Sequence, residues 1–150
     1  MDERSGVGEA ELIGIGASLA AVLAAGDIIA LRGGLGAGKT TLTRGLLSAL
    51  GLEEEAPSPT FAIVQPYAPP EVRLSLTHVD LYRLDGPDQA EELGLDDYLS
   101  DGALVIEWPD RLGERLWPDA LLIDIAVDED GSRRLTAHVP PAWKGRWSLT

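Results

Sequence analysis

The stretch that decides the fold is Gly33-Gly34-Leu35-Gly36-Ala37-Gly38-Lys39-Thr40. It matches the pattern G-x-x-x-x-G-K-[ST], in which backbone N–H groups turn inward around phosphate oxygens. Side chains in place of the glycines would block that approach, or the positive φ that the turn requires. The lysine of this pattern reaches the β- and γ-phosphates, and the hydroxyl after it is a Mg²⁺ ligand. The stretch therefore predicts a nucleoside triphosphate site, with Mg²⁺, that extends to Thr41.

The segments on both sides of this loop agree with the prediction. Ile28–Leu31 is short and wholly apolar, which is typical of a strand buried on both faces of a parallel sheet. A helix is predicted from about Lys39 to Leu50, where Gly51 ends it. Its N-terminus would add the positive end of the helix dipole to the phosphate site. A strand, a glycine loop and a helix in this order predict a P-loop protein.

The remaining chain shows further helical and strand patterns, without an internal repeat or a linker. A helix is predicted over Gly8–Ala25, and a partly helical segment broken by Gly94 is predicted over Asp88–Leu99. Further strands are predicted at Phe61–Tyr67, Leu74–Val79, Ala103–Ile106, Leu121–Val127 and Arg133–Val139. We therefore expect an α/β fold, as one P-loop NTPase-like domain of 150 residues with a central mixed, partly parallel sheet flanked by helices.

The composition narrows the function classes. The formal net charge is −13, and residues 51–100 hold eleven acidic but only two basic side chains. A protein that grips RNA or DNA by itself needs a basic face, so the charge favours solubility or docking onto a basic protein. Because cysteine is absent, disulfides and thiolate sites are excluded. We find no signal peptide and no membrane span in the sequence, and expect a cytoplasmic protein.

Three polar positions are candidates to complete a P-loop site. Glu107 closes the apolar segment Ala103–Ile106, and Asp80 follows Leu74–Val79, so both lie where strands end beside the loop. An acid after a strand is more often a cap or turn residue, which leaves both interpretations open. Ser58-Pro59-Thr60 lies where P-loop proteins carry a switch segment that senses the γ-phosphate. An ordinary turn that opens a strand is an equal alternative there.

The roles of several other polar and aromatic side chains are inferred from their positions in the sequence. Trp108 follows Glu107 and is expected to pack at the site. His78 is expected to be structural or to support the site. A strand surface position is expected for His138. Arg133 and Arg134 lie on a predicted hairpin and are expected to be solvated, with an approach to a nucleotide as the alternative.

Five motifs, taken in order, resemble one family. They are Gly33–Thr41, Ser58-Pro59-Thr60-Phe61, His78-Val79-Asp80-Leu81-Tyr82-Arg83-Leu84, Glu92-Leu93-Gly94-Leu95-Asp96-Asp97-Tyr98 and Val105-Ile106-Glu107-Trp108-Pro109. Together they closely resemble the TsaE family (also called YjeE), the bacterial ATPases needed to make threonylcarbamoyladenosine in tRNA. The resemblance covers residues 10–125, which is nearly the whole chain.

The resemblance implies a cytoplasmic ATPase that works with TsaD and TsaB and meets tRNA only through that assembly. TsaD would transfer the threonylcarbamoyl group, and ATP hydrolysis would reset the complex between turnovers. By their motifs, Lys39 and Thr40 would bind the phosphates and Mg²⁺, and Thr60 would be the switch hydroxyl. Asp80 would be the acid near the γ-phosphate, and Glu107 would be a Mg²⁺-side acid. Trp108 would be an aromatic side chain at the site. Gly34 stands where the family often has Asp, so we expect no side-chain role there.

Two other functions on the same scaffold stay open at this point. A small-molecule kinase would need a basic acceptor pocket and usually an Arg-rich lid, and the middle third offers only Arg73 and Arg83. A nucleotide-gated binding switch would need ATP occupancy but negligible catalysis. A GTPase is disfavoured, because guanine selection normally uses an N-K-x-D loop and the chain has no asparagine.

Overall fold

Residues 1–54 and 64–149, which the computed structural model describes, form one mixed sheet with helices on both faces. The strands are β1 (Asp2–Val7), β2 (Ile28–Arg32), β3 (Val64–Tyr67), β4 (Ser75–Asp80), β5 (Gly102–Glu107), β6 (Leu121–Val127) and β7 (Arg133–His138). The helices are α1 (Glu9–Val22), α2 (Lys39–Ala49) and α3 (Pro87–Glu91), with 3₁₀ segments at Leu95–Leu99 and Pro109–Arg115. No helix in these two ranges is long and apolar enough to cross a membrane.

The sheet has the strand order β1-β7-β6-β2-β5-β4-β3. Its central strands are parallel, since β2 pairs with both β5 and β6, and β5 pairs with β4. The outer pairs β1–β7, β6–β7 and β3–β4 are antiparallel. The expected α/β fold with a mixed, partly parallel sheet is confirmed. Because parallel strands end at the same edge, the carboxyl ends of β2, β4 and β5 lie together, and ligands of α/β sheets bind at such an edge.

Two apolar clusters cover the two faces of the sheet. The larger cluster packs α1 and α2 onto one face, and it includes the buried tail residues Trp143, Trp147 and Leu149. The smaller cluster packs α3 and the two 3₁₀ segments onto the other face. The tail is also tied down by polar contacts, because the Trp147 indole N–H donates to the Ser18 hydroxyl at 2.9 Å. Both faces of the sheet are therefore covered by apolar packing, which holds the residues at its carboxyl edge in place.

Two predictions near the N-terminus need correction. The first helix ends at Val22 rather than Ala25, because Leu23 already has extended backbone angles (φ −68°, ψ 137°). Strand β1 was not expected, since its sequence begins with Asp2-Glu3-Arg4 and lacks an apolar alternation. It forms at the outer edge of the sheet, where backbone pairing with β7 stabilises it and Val7 is its only buried side chain. The other predicted elements are confirmed to within two residues where they are described.

The close packing of α1 on α2 leads to a prediction. A Cβ atom at Gly16 would lie 2.2 Å from the Leu42 carbonyl oxygen and 2.7 Å from the Leu46 nitrogen, both of which are backbone atoms. We expect Gly16→Ala to lower the free energy of unfolding by about 1–3 kcal/mol, because the helices must separate. Gly14→Ala is the matched control, since a Cβ at Gly14 meets nothing within 4 Å. Urea denaturation of both variants measures the difference, and equal stabilities would contradict the close approach.

Candidate active site

The glycine loop between β2 and α2 has the backbone that its sequence requires. Gly36 and Gly38 have φ angles of 76° and 117°, which strain any residue with a Cβ atom. A Cβ at Gly33 would lie 2.5 Å from the carbonyl oxygen of Ile125 on β6. Helix α2 begins at Lys39, directly after the loop, so the unpaired N–H groups of its first turn lie at the site. This combination of loop and helix end binds anions in many proteins.

A cavity of about 250 Å³ opens in front of this loop and gathers residues from distant parts of the chain. It is lined by Leu35, Gly36, Ala37, Gly38, Lys39, Thr40, Thr41, Asp80, Glu107, Trp108 and Arg133. Most of the residues that the sequence singled out therefore meet in one place. Gly33 and Gly34 are not among the lining residues, and Thr60 with the rest of Ser58–Phe61 falls outside the described residues.

Lys39 is held inside the cavity by the loop itself. Its side chain is buried, and Nζ donates hydrogen bonds to the carbonyl oxygens of Gly33 at 2.5 Å and Gly34 at 3.2 Å. Nζ also lies 4.1 Å from the centroid of the Trp108 ring, which is a cation–π distance. The ammonium is thus already held at the loop, in the cavity where a phosphate would bind.

The two acids are neighbours across the sheet. Asp80 ends β4 and Glu107 ends β5, and they are paired residues in the parallel register. Both side chains are buried. Asp80 Oδ1 accepts a hydrogen bond from the Tyr82 backbone N–H at 2.9 Å. Glu107 Oε2 lies 2.5 Å from His78 Nε2, and His78 Nδ1 is buried without a hydrogen-bond partner in the described part of the chain. One carboxylate of the site is therefore hydrogen-bonded to a backbone amide, and the other is hydrogen-bonded to an imidazole.

Burial in this cavity disfavours the charged forms of both Asp80 and Lys39. Burial raises the pKa of the Asp80 carboxyl above its usual range, and the nearby Glu107 adds to that rise, whereas the Tyr82 N–H opposes it. Burial also lowers the pKa of the Lys39 ammonium, against the attraction of Glu107 and Asp80. An anion beside Lys39 and a cation beside the two carboxylates would each favour the charged forms. The electrostatics of the cavity therefore fit a metal–phosphate ligand.

The donor set fits Mg²⁺ better than a metal held by protein alone. The Thr40 hydroxyl and the carboxylates of Asp80 and Glu107 are hard oxygen donors that line the same cavity. Within residues 1–54 and 64–149, no group of three or more His, Cys, Asp or Glu side chains is arranged to hold a metal ion. Mg²⁺ is usually bound by one or two carboxylates together with phosphate oxygens and water. These residues suit a Mg²⁺ ion that arrives with a phosphate ligand.

Trp108 lines the cavity in a strained backbone conformation. It has φ 60° and ψ 51°, and no other non-glycine residue among those described has a positive φ. Its ring packs against Tyr82, with centroids 4.8 Å apart, while Arg111 Cζ lies 5.9 Å from the ring centroid. A left-handed tryptophan costs about 1–3 kcal/mol, and such strain is concentrated at functional sites. Trp108 lines the same cavity as Lys39 and Glu107, and its role there stays a prediction.

Arg133 corrects one expectation from the sequence. It was expected to be solvated on the β6–β7 hairpin, but its guanidinium lines the cavity and donates from Nε to the Ala37 carbonyl oxygen at 3.1 Å. Its neighbour Arg134 is exposed, as expected, with Nη1 3.6 Å from Asp128 Oδ1. Alternation along a strand sends neighbouring side chains to opposite faces, but the sequence alone does not tell which face meets the loop.

Comparisons with known proteins agree with one another. The sequence profile of the family described as "Threonylcarbamoyl adenosine biosynthesis protein TsaE" matches residues 7–135. The tRNA threonylcarbamoyladenosine biosynthesis protein TsaE of Streptomyces coelicolor is 46% identical over 138 residues, covering 89% of this chain and 92% of the relative. The protein of the same name in Bacillus subtilis is 40% identical, covering 74% of this chain and 68% of the relative. The crystal structure of Bacillus subtilis YdiB is similar with a TM-score of 0.76 at 33% identity, covering 91% of this chain and 83% of that one.

Proposed function

Since this chain belongs to the TsaE family of tRNA threonylcarbamoyladenosine biosynthesis proteins, we propose that it binds ATP with Mg²⁺ in the loop cavity and hydrolyses it. The observation that carries the proposal is that Lys39, Asp80 and Glu107 meet in one cavity in front of a glycine loop. A lysine and two buried acids beside a helix N-terminus are the parts that phosphoryl transfer requires. The reaction would be the hydrolysis of the γ-phosphate by water.

The chain's residues have distinct binding roles in this proposal. The N–H groups of the loop and of the first turn of α2 hold the phosphate oxygens. Lys39 exchanges its bonds to the Gly33 and Gly34 carbonyls for contacts with the β- and γ-phosphates. Thr40 provides a hydroxyl to the metal, and Thr41 continues the wall of the cavity. Bound Mg²⁺ would supply positive charge to the phosphate oxygens as negative charge develops on them.

In this proposal the two acids position the attacking water and the metal, and Trp108 keeps bulk water out of the site. Asp80 stays fixed by the Tyr82 N–H, so its free oxygen can orient a water molecule near the γ-phosphate. His78 holds Glu107, which serves the metal side of the site. Trp108 limits the entry of bulk water from the end of the cavity where it packs on Tyr82. Thr60 remains a proposed switch hydroxyl on the strength of its motif alone.

The partners are proposed from the family and from charge. We assign the chain to the TsaD–TsaB assembly in the cytoplasm, with tRNA reached only through that assembly. Exposed acids support this choice, since the side chains of Asp88 and Glu91 are 94% and 74% exposed even though Arg115 bonds to both. A surface of this charge repels an RNA backbone. Docking onto a basic protein surface is proposed for the region Glu91–Asp97.

A phosphate-release assay tests the proposal. We expect slow ATP hydrolysis by the protein alone, a clear rise when TsaD and TsaB are added, and no rise with tRNA alone at physiological salt. The reason is that assembly orders the site, whereas the acidic surface gives tRNA nothing to bind. Release of phosphate without any acceptor molecule would distinguish hydrolysis from a kinase reaction.

Two results would count against this assignment. Strong stimulation by tRNA without the protein partners would favour an enzyme that acts directly on RNA. ATP-dependent docking without any phosphate release, in the presence of both partners, would favour the binding switch. The Lys39→Ala variant is the negative control under each assay condition.

A further inference from the structure

Arg133 is hydrogen-bonded to two carbonyl groups of the glycine loop. Its Nε donates to the Ala37 carbonyl oxygen at 3.1 Å, and Nη2 lies 3.5 Å from the Gly36 carbonyl oxygen. Nη1 donates to the Gly131 carbonyl oxygen at 3.0 Å, so the hairpin itself also holds the guanidinium. Three of the five N–H donors of an arginine are used in this way. The planar group is therefore fixed in orientation before any ligand arrives.

The hairpin fixes where Arg133 stands. The turn between β6 and β7 is closed by hydrogen bonds from the Asp128 N–H to the Ser132 carbonyl at 2.8 Å and from the Gly131 N–H to the Asp128 carbonyl at 3.0 Å. Arg133 is the first residue of β7 and pairs with Val127 on one side. It also pairs with Val7 of β1 on the other side. Strand pairing on both sides fixes the backbone of Arg133, and therefore the point from which its side chain reaches the loop.

The strand order separates the two charged walls of the cavity. Asp80 and Glu107 come from β4 and β5, on one side of the loop-bearing strand β2. Arg133 comes from β7, beyond β6 on the other side of β2. If the γ-phosphate and the metal face the acids, the opposite end of a nucleotide must face the side of Arg133. This step rests on the proposed function, because it takes the acids as the hydrolytic end.

We propose that Arg133 forms the nucleoside-side wall of the site, where its fixed guanidinium contacts the base. A planar guanidinium stacks on aromatic rings and carries a permanent positive charge, and it is more weakly hydrated than an ammonium. Stacking uses the face that every nucleobase has, so this contact adds affinity for a nucleotide without choosing between adenine and guanine. The residue binds; it takes no part in the bond-breaking step.

Two ligands separate this role from a purely structural one. Mg·ADP carries a nucleoside, whereas the Mg²⁺ complex of inorganic triphosphate fills the phosphate cradle without one. We expect Arg133→Ala to weaken Mg·ADP binding about tenfold. Triphosphate binding should stay within about twofold of the parent value, since the loop N–H groups and Lys39 remain. GDP should lose affinity by a factor similar to that of ADP. Titration calorimetry measures all three ligands.

Two further variants complete the experiment. Arg134→Ala is the matched control, because Arg134 is the exposed neighbour on the same strand and should leave the affinity for both ligands unchanged. Arg133→Gln keeps a side chain that can donate to the loop carbonyls and replaces the alanine variant if that one does not fold. It should show the same selective loss of nucleotide affinity.

The outcomes separate the inference from the proposed function. Equal losses for Mg·ADP and triphosphate would mean that Arg133 only holds the loop, and would overturn the inference. Unchanged binding of both would overturn it as well. A parent protein that binds neither ligand would contradict the proposed function itself, before any variant is measured.

Discussion

The Lys39→Ala variant is expected to lose ATP hydrolysis and to bind Mg·ADP more weakly by about 1.5–3 kcal/mol, which is the strength of a charge-assisted hydrogen bond. In the structure the ammonium is buried and bonds to two loop carbonyls beside the Trp108 ring. No other lysine lies in the cavity wall. Hydrolysis should fall further than affinity, because the charge on the γ-phosphate oxygens grows in the transition state. Calorimetry and phosphate release measure the two effects.

The chain offers a natural control for this experiment. Lys144 is the only other lysine, and it is exposed in the C-terminal tail. Lys144→Ala should therefore bind and hydrolyse like the parent. The cooperative urea transition of Lys39→Ala should remain, since a buried charge is removed rather than added. A Lys39→Ala protein that binds and hydrolyses ATP normally would show that the P-loop assignment is wrong.

Asp80→Asn is expected to lower turnover by about 10²–10⁴-fold, the usual contribution of a positioned acid or base. ADP affinity should change only slightly, because water placement near the γ-phosphate matters most in the transition state. Asparagine keeps an oxygen that can accept from the Tyr82 N–H, so the local backbone should be preserved. Single-turnover phosphate release and ADP titration, both in the presence of TsaD and TsaB, separate the two quantities.

The control for this variant is another Asp→Asn change on the surface. Asp119 is exposed and is not among the residues that line the loop cavity, so its replacement should leave turnover unaltered. Normal turnover in Asp80→Asn would return Asp80 to the other interpretation of its sequence position. It would then be a residue that caps the turn after β4 through the Tyr82 N–H.

The parts of the site that the sequence predicts are those that local rules decide. The loop from Gly33 to Thr40 has a pattern whose backbone geometry is dictated residue by residue. Asp80 and Glu107 could be expected to meet because each ends a predicted strand, and parallel strands end at one edge of a sheet. In both cases the relevant information lies within a few residues of the motif.

The parts that the sequence does not predict depend on contacts between distant residues. Arg133 lies 96 positions after Ala37, and only the register of β6 and β7 brings its guanidinium to the loop. The bond between His78 and Glu107 likewise spans 29 positions and follows from the pairing of β4 with β5. Strand β1 escapes prediction because its polar edge lacks the alternation that marks a half-buried strand.

A crystal structure with ADP and Mg²⁺ tests the central claim most directly. We expect the β-phosphate among the backbone N–H groups of the loop, Lys39 Nζ moved from the Gly33 and Gly34 carbonyls onto a phosphate oxygen, and the Thr40 hydroxyl on the metal. ADP bound elsewhere, with Lys39 still on the loop carbonyls, would contradict it.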